Sequence, residues 1–341
     1  MKTLKQLVLA SVLTVFAFGT VQAGSMSVSG SIEISRTSGL SGNSNGGALG
    51  MENELSVTAS TELDNGVGVA YKQSITQDNA RNDSEVVFSG LPTIGGSIAM
   101  TSTGTPIDAI DNIMPTAAEE ANHGAASFTQ VGANDGTFGL RYKNAELLPL
   151  GITLDAMYFP QAGAGDATND EAGSGTTNEY YADAYEVALS MPVPMIDGAS
   201  LTAGYANTDG ISTKRDDREE YAAAVKYTYG PLSVGYQKTL VNNAFKDAEA
   251  GGVAWVKGSM YGISYSVNDN LAISYQENES QQKTSQGASS GASTKQKSDG
   301  VSISYSIGGM SLAYVDNSFD NSSYTVDSNK DYKQIVLGVA F

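Results

Sequence analysis

The segment YGISYSVNDNLAISY, residues 261–275, decides the fold. Its apolar residues stand at every second position on both sides of the sequence Asn268-Asp269-Asn270. Strict alternation predicts a β-strand with one apolar and one polar face, because successive side chains of a strand point to opposite sides of the sheet. Asparagine and aspartate between two such runs favour a tight turn. The segment therefore predicts an antiparallel hairpin.

The same pattern recurs along the whole chain. Alternating runs turn at Asp64-Asn65-Gly66, at Gly230-Pro231 and at Gly308-Gly309, and the last run ends at Phe341. Sixteen strands are counted in this way, with short turns after the even-numbered strands and long polar loops after the odd-numbered ones. An even number of strands with this alternation of connections is typical of a transmembrane β-barrel with short periplasmic turns and long extracellular loops.

A soluble β-sandwich is the alternative, since its strands show the same period with the apolar face turned inward. The central apolar positions of the runs that define the pattern carry no charge. A charge facing lipid there would cost about 2 to 4 kcal/mol. Tyrosines such as Tyr71, Tyr158 and Tyr236 stand near strand ends, where aromatic residues mark membrane interfaces. We therefore predict an all-β fold, a transmembrane antiparallel β-barrel of sixteen strands.

The amino terminus has the pattern of an export signal. Lys2 and Lys5 precede an uncharged apolar run at residues 7–18, and Val21-Gln22-Ala23 gives a small-x-small cleavage pattern. The run is too short for a spanning helix, which needs about 20 residues. We predict a cleaved signal peptide at residues 1–23 and a single barrel domain at residues 24–341.

Composition excludes several classes of protein. The chain has no cysteine, so a disulfide scaffold and thiolate metal sites are excluded. It has 19 Lys and Arg against 37 Asp and Glu, and loss of Lys2 and Lys5 leaves 17 against 37, a formal charge of -20. This balance argues against a nucleic-acid partner. The mean hydropathy of -0.19 is compatible with a barrel, because only every second strand residue faces lipid.

The whole mature chain resembles the Gram-negative general porins. The resemblance is carried by the signal segment, the sixteen alternating strands, the long third loop and the terminal sequence Ile335-Val-Leu-Gly-Val-Ala-Phe341. It implies a homotrimer in the outer membrane of a Gram-negative bacterium, in contact with lipid and lipopolysaccharide, whose barrels pass ions and small hydrophilic solutes. It also implies that the Gly24 amine and the Phe341 carboxylate meet where the first and last strands pair.

The third loop, residues 102–136, is the longest connection and contains no lysine or arginine. Long irregular loops in compact domains are commonly functional. The resemblance implies that this loop folds into the pore, where its carboxylates would line a constriction. These constriction residues are Asp108, Asp111, Glu119 and Glu120.

The wall opposite this loop is expected to be acidic as well. Strand parity directs the following charged residues toward the lumen: Glu33, Glu54, Glu62, Lys72, Arg141 and Lys143. General porins commonly face their acidic loop with a dense basic cluster, whereas the first two strands here contribute glutamates. Because a lumen of one charge sign concentrates counter-ions, we predict a preference for cations.

An enzymatic function is not expected. His123 is the only histidine, no nucleophile pairs with it in the sequence, and neither a P-loop nor an HExxH helix is present. Two other functions stay open, a substrate-selective channel and a structural or adhesive barrel without an open pore.

No cofactor is predicted, although the acidic stretches 165–171 and 316–331 offer oxygen ligands for Ca²⁺ without matching an EF-hand loop. Trp255 precedes Lys257, and the pattern leaves two placements open for it. It either extends the following strand or packs within the sixth loop.

Overall fold

The computed structural model describes residues 24–39, 47–76, 81–124, 131–162, 181–210, 216–243, 253–284 and 291–341. The predicted signal peptide and the acidic stretch 165–171 lie outside these ranges.

The described chain consists almost entirely of antiparallel strands. Their bounds are β1 (Ser25–Ser38), β2 (Ala48–Glu62), β3 (Gly68–Thr76), β4 (Arg81–Ser89), β5 (Ser97–Thr101), β6 (Gly139–Asn144), β7 (Thr153–Phe159), β8 (Tyr181–Pro192), β9 (Ala199–Gly210), β10 (Arg218–Tyr229), β11 (Leu232–Asn242), β12 (Val253–Ser266), β13 (Leu271–Thr284), β14 (Gly291–Ala292), β15 (Gln296–Ile307), β16 (Met310–Asp320) and β17 (Lys330–Ala340).

These strands form one closed barrel. Each strand pairs with its neighbour in sequence, and β17 pairs with β1. The two-residue strand β14 belongs to the connection between β13 and β15, which also pair directly with each other. Of the 17 strands in the described ranges, 16 therefore build the wall, and the predicted fold class is confirmed.

The helical segments are short: α1 (Asp108–Asp111) and two 3-10 turns at Pro149–Gly151 and Ser322–Tyr324. Within the described ranges, no helix is long and apolar enough to cross a membrane.

The two faces of the wall differ as the alternation predicts. In β12 the side chains of Tyr261, Ile263 and Tyr265 are exposed, whereas Met260 and Gly262, which have the opposite parity, are buried. Directly opposite residues of neighbouring strands share a face, so the apolar outer surface continues around the barrel. Trp255 lies within β12 on the same parity as Tyr261, which places it in a strand and on the outer face.

The apolar core lies inside the barrel, between the connection from β5 to β6 and the wall. Ile107, Ile110 and Met114 of this connection are buried against small wall residues of β8 to β12, including Ala206 and Ala222. Glycines allow the closest approach, since a Cβ atom at Gly204 would lie 2.6 Å from Ile110 Cδ1, and one at Gly235 would lie 2.7 Å from Pro115 Cδ. The connection therefore docks on a groove of small side chains.

The chain ends do not meet as the resemblance implied. The backbone of Phe341 exchanges two hydrogen bonds with Gly30, of 2.8 and 2.9 Å, so the strand pairing is present. Gly24 lies six positions before Gly30, just before the start of β1, whose first residues pair only with β2. The reason is the stagger that barrel closure imposes between the first and last strands.

Candidate functional site

The connection between β5 and β6 contains the third loop. Its described parts, residues 102–124 and 131–136, follow the inner wall from β8 to β17. The Ile107 N–H donates to Glu186 Oε2 on β8 at 3.2 Å, and the Ala117 N–H donates to Ser274 Oγ on β13 at 2.9 Å. Further along, His123 lies against β17. Because the loop covers the inner face of these strands, open space remains on the side of β1 to β6.

Hydroxyl and amide groups of the wall satisfy the loop backbone. Ser302 Oγ accepts from the Ala118 N–H at 3.0 Å. Gln276 accepts from the Ala121 N–H at 2.9 Å and donates to the Pro115 carbonyl at 3.0 Å. These contacts explain why the inner positions of β13 and β15 are serine and glutamine, since buried backbone groups need partners.

Two wall glutamates that the sequence analysis did not predict as site residues, Glu186 and Glu220, bind the first and last parts of the loop. Glu186 is fully buried and binds both the first part of the loop, at Ile107, and its last part, at Asn134. The Asn134 Nδ2 donates to Glu186 Oε1 at 3.3 Å. Glu220 on β10 accepts from the Gly132 N–H at 2.6 Å and pairs with Arg218 at 2.8 Å. Their place on the polar face was visible in the sequence, but their burial depends on the course of the loop.

Asp111 does not line the lumen, contrary to the sequence-based prediction. Its carboxylate is buried against β11 and accepts from Gln237 Nε2 at 2.6 Å. Burial raises the pKa of Asp111 to about 7, with the Gln237 hydrogen bond opposing this shift and Asp108 and Glu220 adding to it. The correction has a simple cause: an irregular loop has no fixed parity, so alternation does not reveal which carboxylates point to the wall.

The other three loop carboxylates occupy different environments. Asp108 is partly exposed, and burial, followed by Asp135 and Glu220, raises its pKa to about 6. Glu120 is half-buried, and burial raises its pKa to about 8. Glu119 is exposed. The structure therefore leaves Asp108 and Glu119 as the more accessible members of the predicted set.

His123 has a docking role in this geometry. Its Nε2 lies 3.1 Å from the Tyr332 hydroxyl and 3.2 Å from Gln334 Oε1, both on β17. Its Nδ1 lies 3.4 Å from Glu119 Oε2. Among the described residues, no group of three or more histidine, cysteine, aspartate or glutamate side chains is arranged to hold a metal ion.

The basic residues predicted to face the loop are paired with carboxylates on the wall. Arg141 binds Asp155 through two hydrogen bonds of 2.8 and 2.6 Å and donates to the Gly104 carbonyl at 2.7 Å. Lys143 lies 3.7 Å from the same aspartate. Arg141 therefore fixes the start of the third loop, and Asp155 offsets one of the two positive charges.

The positive charge of Lys72 is also offset by neighbouring carboxylates. It stands directly opposite Glu85 on β4, and its Nζ lies 3.7 Å from Asp83 Oδ2.

Glu33 of β1 and the glutamate opposite it on β2 face the lumen, as strand register shows. Gln334 of β17 contacts His123 of the third loop, so the even-numbered residues of β17 point inward. Gly338 has the same parity and stands directly opposite Glu33. Since opposite residues share a face, Glu33 also points inward. Glu52 of β2 stands directly opposite Glu33 and joins it there, although the sequence analysis had not named it.

Glu54 follows Glu52 on the same face of β2. It accepts hydrogen bonds of 2.9 Å from the hydroxyls of Ser56 and Ser74. Glu62 has the same parity, near the short turn that ends β2. Like charges directly opposite each other destabilise a sheet, so the pair of Glu33 and Glu52 lowers the stability of the barrel.

A closed antiparallel barrel with an apolar outer surface, a charged inner wall and a loop folded inside defines a transmembrane channel protein of the outer membrane. A family model of the Gram-negative porins matches residues 9–341, and the chain belongs to this family.

Solved porins share the fold at low sequence identity. Salmonella typhi OmpF, in complex with daunomycin, is 14% identical with a TM-score of 0.64, covering 94% of this chain and 100% of that one. The trimer form of Vibrio cholerae OmpT is 11% identical with a TM-score of 0.61, covering 94% and 100%. An anion-selective porin from Comamonas acidovorans is 12% identical with a TM-score of 0.60, again covering 94% and 100%. No curated protein sequence matches the chain.

Proposed function

We propose that this porin is a water-filled channel for the passive diffusion of ions and small hydrophilic solutes, with a preference for cations. The observation that carries the preference is the inner face of β1 and β2, where Glu33, Glu52 and Glu54 lie together. Within the described ranges, none of the three forms an ion pair with lysine or arginine. Low-dielectric walls of one charge sign concentrate counter-ions.

The other charged residues of the inner wall and the third loop also favour cations. Lys72, Arg141 and Lys143 each have a carboxylate neighbour, so they do not form a free basic cluster opposite the third loop. The loop itself adds Asp108 and Glu119 and contains no basic residue other than His123. An anion-selective porin has a similar fold, so selectivity has to come from such side chains and not from the barrel.

The preference is tested by zero-current potentials across planar bilayers in a salt gradient. We expect the wild-type channel to favour cations and the triple variant Glu33→Gln, Glu52→Gln, Glu54→Gln to move toward equal permeability. These substitutions retain size and hydrogen-bonding groups while removing charge. Glu277→Gln on the outer face is the matched control, and its permeability ratio should equal that of the wild type. Anion preference of the wild-type channel would refute the proposal.

The mature protein is proposed to be a homotrimer, exported by residues 1–23 and inserted among outer-membrane lipids, including lipopolysaccharide. The trimer form of a porin with a similar fold supports this assembly. Native mass spectrometry measures the trimer, and amino-terminal sequencing should give Gly24 as the first residue.

A further inference from the structure

The outer face of β11 and β12 carries two lysines beyond its tyrosines. Lys238 and Lys257 are exposed and have the same parity as Tyr236 and Tyr261, which places them on the outer surface of the barrel. Both lie on the long-loop side of these tyrosines. Lys238 stands directly opposite Ser259, so Lys257 is its diagonal neighbour across the two strands. Diagonal neighbours are about 7 to 8 Å apart, within reach of one multivalent ligand.

The tyrosines mark the level at which the outer surface changes from apolar to charged. Tyr275 donates to Glu277 at 2.7 Å, and Tyr314 donates to Asp316 at 2.9 Å. In each strand the acceptor is the next outward-facing residue toward the long loops. Aromatic rings with a polar tip mark the boundary between hydrocarbon and headgroups. The two lysines therefore lie at headgroup level on the long-loop side, which in this family is the external leaflet.

Other lysines at this level form ion pairs with carboxylates. Lys333 pairs with Asp316 at 2.8 Å. Lys295 and Lys297 both pair with Glu279, at 2.6 and 3.6 Å.

Lys238 and Lys257 have no such partner among the described residues. The residues directly opposite them are Ala223 and Ser259 for Lys238, and Leu240 and Gln281 for Lys257. Their contacts are aromatic: Lys257 Nζ lies 4.6 Å from the centre of the Trp255 ring, and Lys238 Nζ lies 5.9 Å from that of Tyr236. Cation–π contacts leave the ammonium hydrogens available for an anion.

We propose that Lys238 and Lys257 bind the phosphate of an outer-leaflet glycolipid, an inference that rests on the placement of this porin in the outer membrane. A shallow depression on the outer wall is lined by both lysines, by the ion pair of Lys295 and Glu279, and by Tyr221, Ala223 and Leu240, whose surface is suited to hydrocarbon chains. Because both lysines are positively charged, the negatively charged phosphate is the part of the lipid that they attract. The charged level elsewhere is rich in carboxylates such as Glu277 and Asp299, which stand directly opposite each other and repel anions.

Trp255 is the only tryptophan of the chain and lies beside Lys257, so its fluorescence reports on this site. The purified barrel in detergent is titrated with diphosphoryl lipid A, with its dephosphorylated form, and with inorganic phosphate. We expect a saturable change with the phosphorylated lipid, a much weaker one with the dephosphorylated lipid, and none with phosphate alone at the same concentrations. Retention of the lipid in native mass spectrometry gives a second readout that does not depend on the fluorophore.

The variant Lys238→Gln, Lys257→Gln is expected to bind at least tenfold more weakly, since each of the two lysines contributes to the attraction of the phosphate. Lys333→Gln is the control for each single variant, because it removes a lysine of the same level that Asp316 neutralises outside the depression, and it should bind as the wild type does. Circular dichroism and the single variants guard against misfolding. Equal affinity of the wild type and the double variant, or equal affinity for the dephosphorylated lipid, would overturn the proposal.

Conductance in planar bilayers separates this result from the proposed channel function. The double variant should conduct as the wild type does, because both lysines lie outside the lumen. Absence of conductance from the wild-type protein would count against the channel and leave the lipid measurement unaffected.

Discussion

At the scale of single residues, charge in this porin is sorted by the face on which a side chain stands. Arg141 shows how little of its role follows from parity alone. It points inward as predicted, yet its guanidinium is largely buried and bound to Asp155 and to the third loop. The residue thus acts as a positioning group for the loop, while the lumen keeps the charge of the glutamates.

Substitution of Arg141 by glutamine should destabilise the barrel by about 3 kcal/mol, because it breaks a buried pair and leaves Asp155 with only the more distant and more exposed Lys143 beside it. It should also release the start of the third loop at Gly104, and the single-channel current should become noisier. Lys143→Gln is the matched control, since this lysine is more than half exposed and its pair is worth about 0 to 1 kcal/mol. Urea unfolding followed by circular dichroism measures the difference. Equal midpoints for the two variants would contradict the assignment.

At the scale of elements, strands and loop differ in how far the sequence determines them. The strands were predictable because alternation is local, so that Glu33 and Lys72 were placed on the correct face from parity. The register between β1 and β17 was not predictable, since stagger is a property of the closed barrel. The loop contacts at Glu186, Glu220 and Asp111 also escaped prediction, because they join residues far apart in sequence.

The docking of the third loop should weaken as pH rises. Asp111 and Glu120 have pKa values of about 7 and about 8 in the folded protein, against a usual value near 4, because burial disfavours their charged forms. A carboxyl whose pKa is raised on folding stabilises the folded state fully below its unfolded pKa. That stabilisation is lost as pH rises through the folded pKa. Hydrogen exchange of the loop amides should therefore show lower protection factors at pH 9 than at pH 5.

The carboxylates that face these two groups add to this expectation, whereas the hydrogen bonds of Gln237 to Asp111 and of Asn122 to Glu120 oppose it. Asp111 faces Glu220 and Gln237 from the wall and Asp108 from the loop, and Glu120 faces Asp111 and Glu119. Asp111→Asn should reduce the loss of protection, because the amide oxygen still accepts from Gln237 and carries no charge at any pH. Asp269→Asn, in the turn after β12, is the control and should leave the pH dependence unchanged. Protection that rises with pH would contradict the argument.

At the scale of the whole molecule, the barrel brings together side chains that no local pattern connects. Closure between β1 and β17 sets Glu33 in one inner surface with residues of the loop-bearing half. The glutamates of β1 and β2 thus lie across the lumen from a loop that also lacks lysine and arginine. Their effect on an ion depends on the distance across which their field acts through water, and salt shortens that distance.

Ionic strength therefore distinguishes a diffuse field from a specific binding site. The Debye length is about 10 Å at 0.1 M salt and about 3 Å at 1 M. If the glutamate wall acts through its field, the cation preference at a fixed salt ratio should be large near 0.1 M and largely lost near 1 M. Reversal potentials measured at several mean concentrations test this, with the triple glutamine variant showing little dependence on salt at any concentration. A preference that stays constant up to 1 M, together with saturable flux of one solute, would instead indicate a substrate-selective channel.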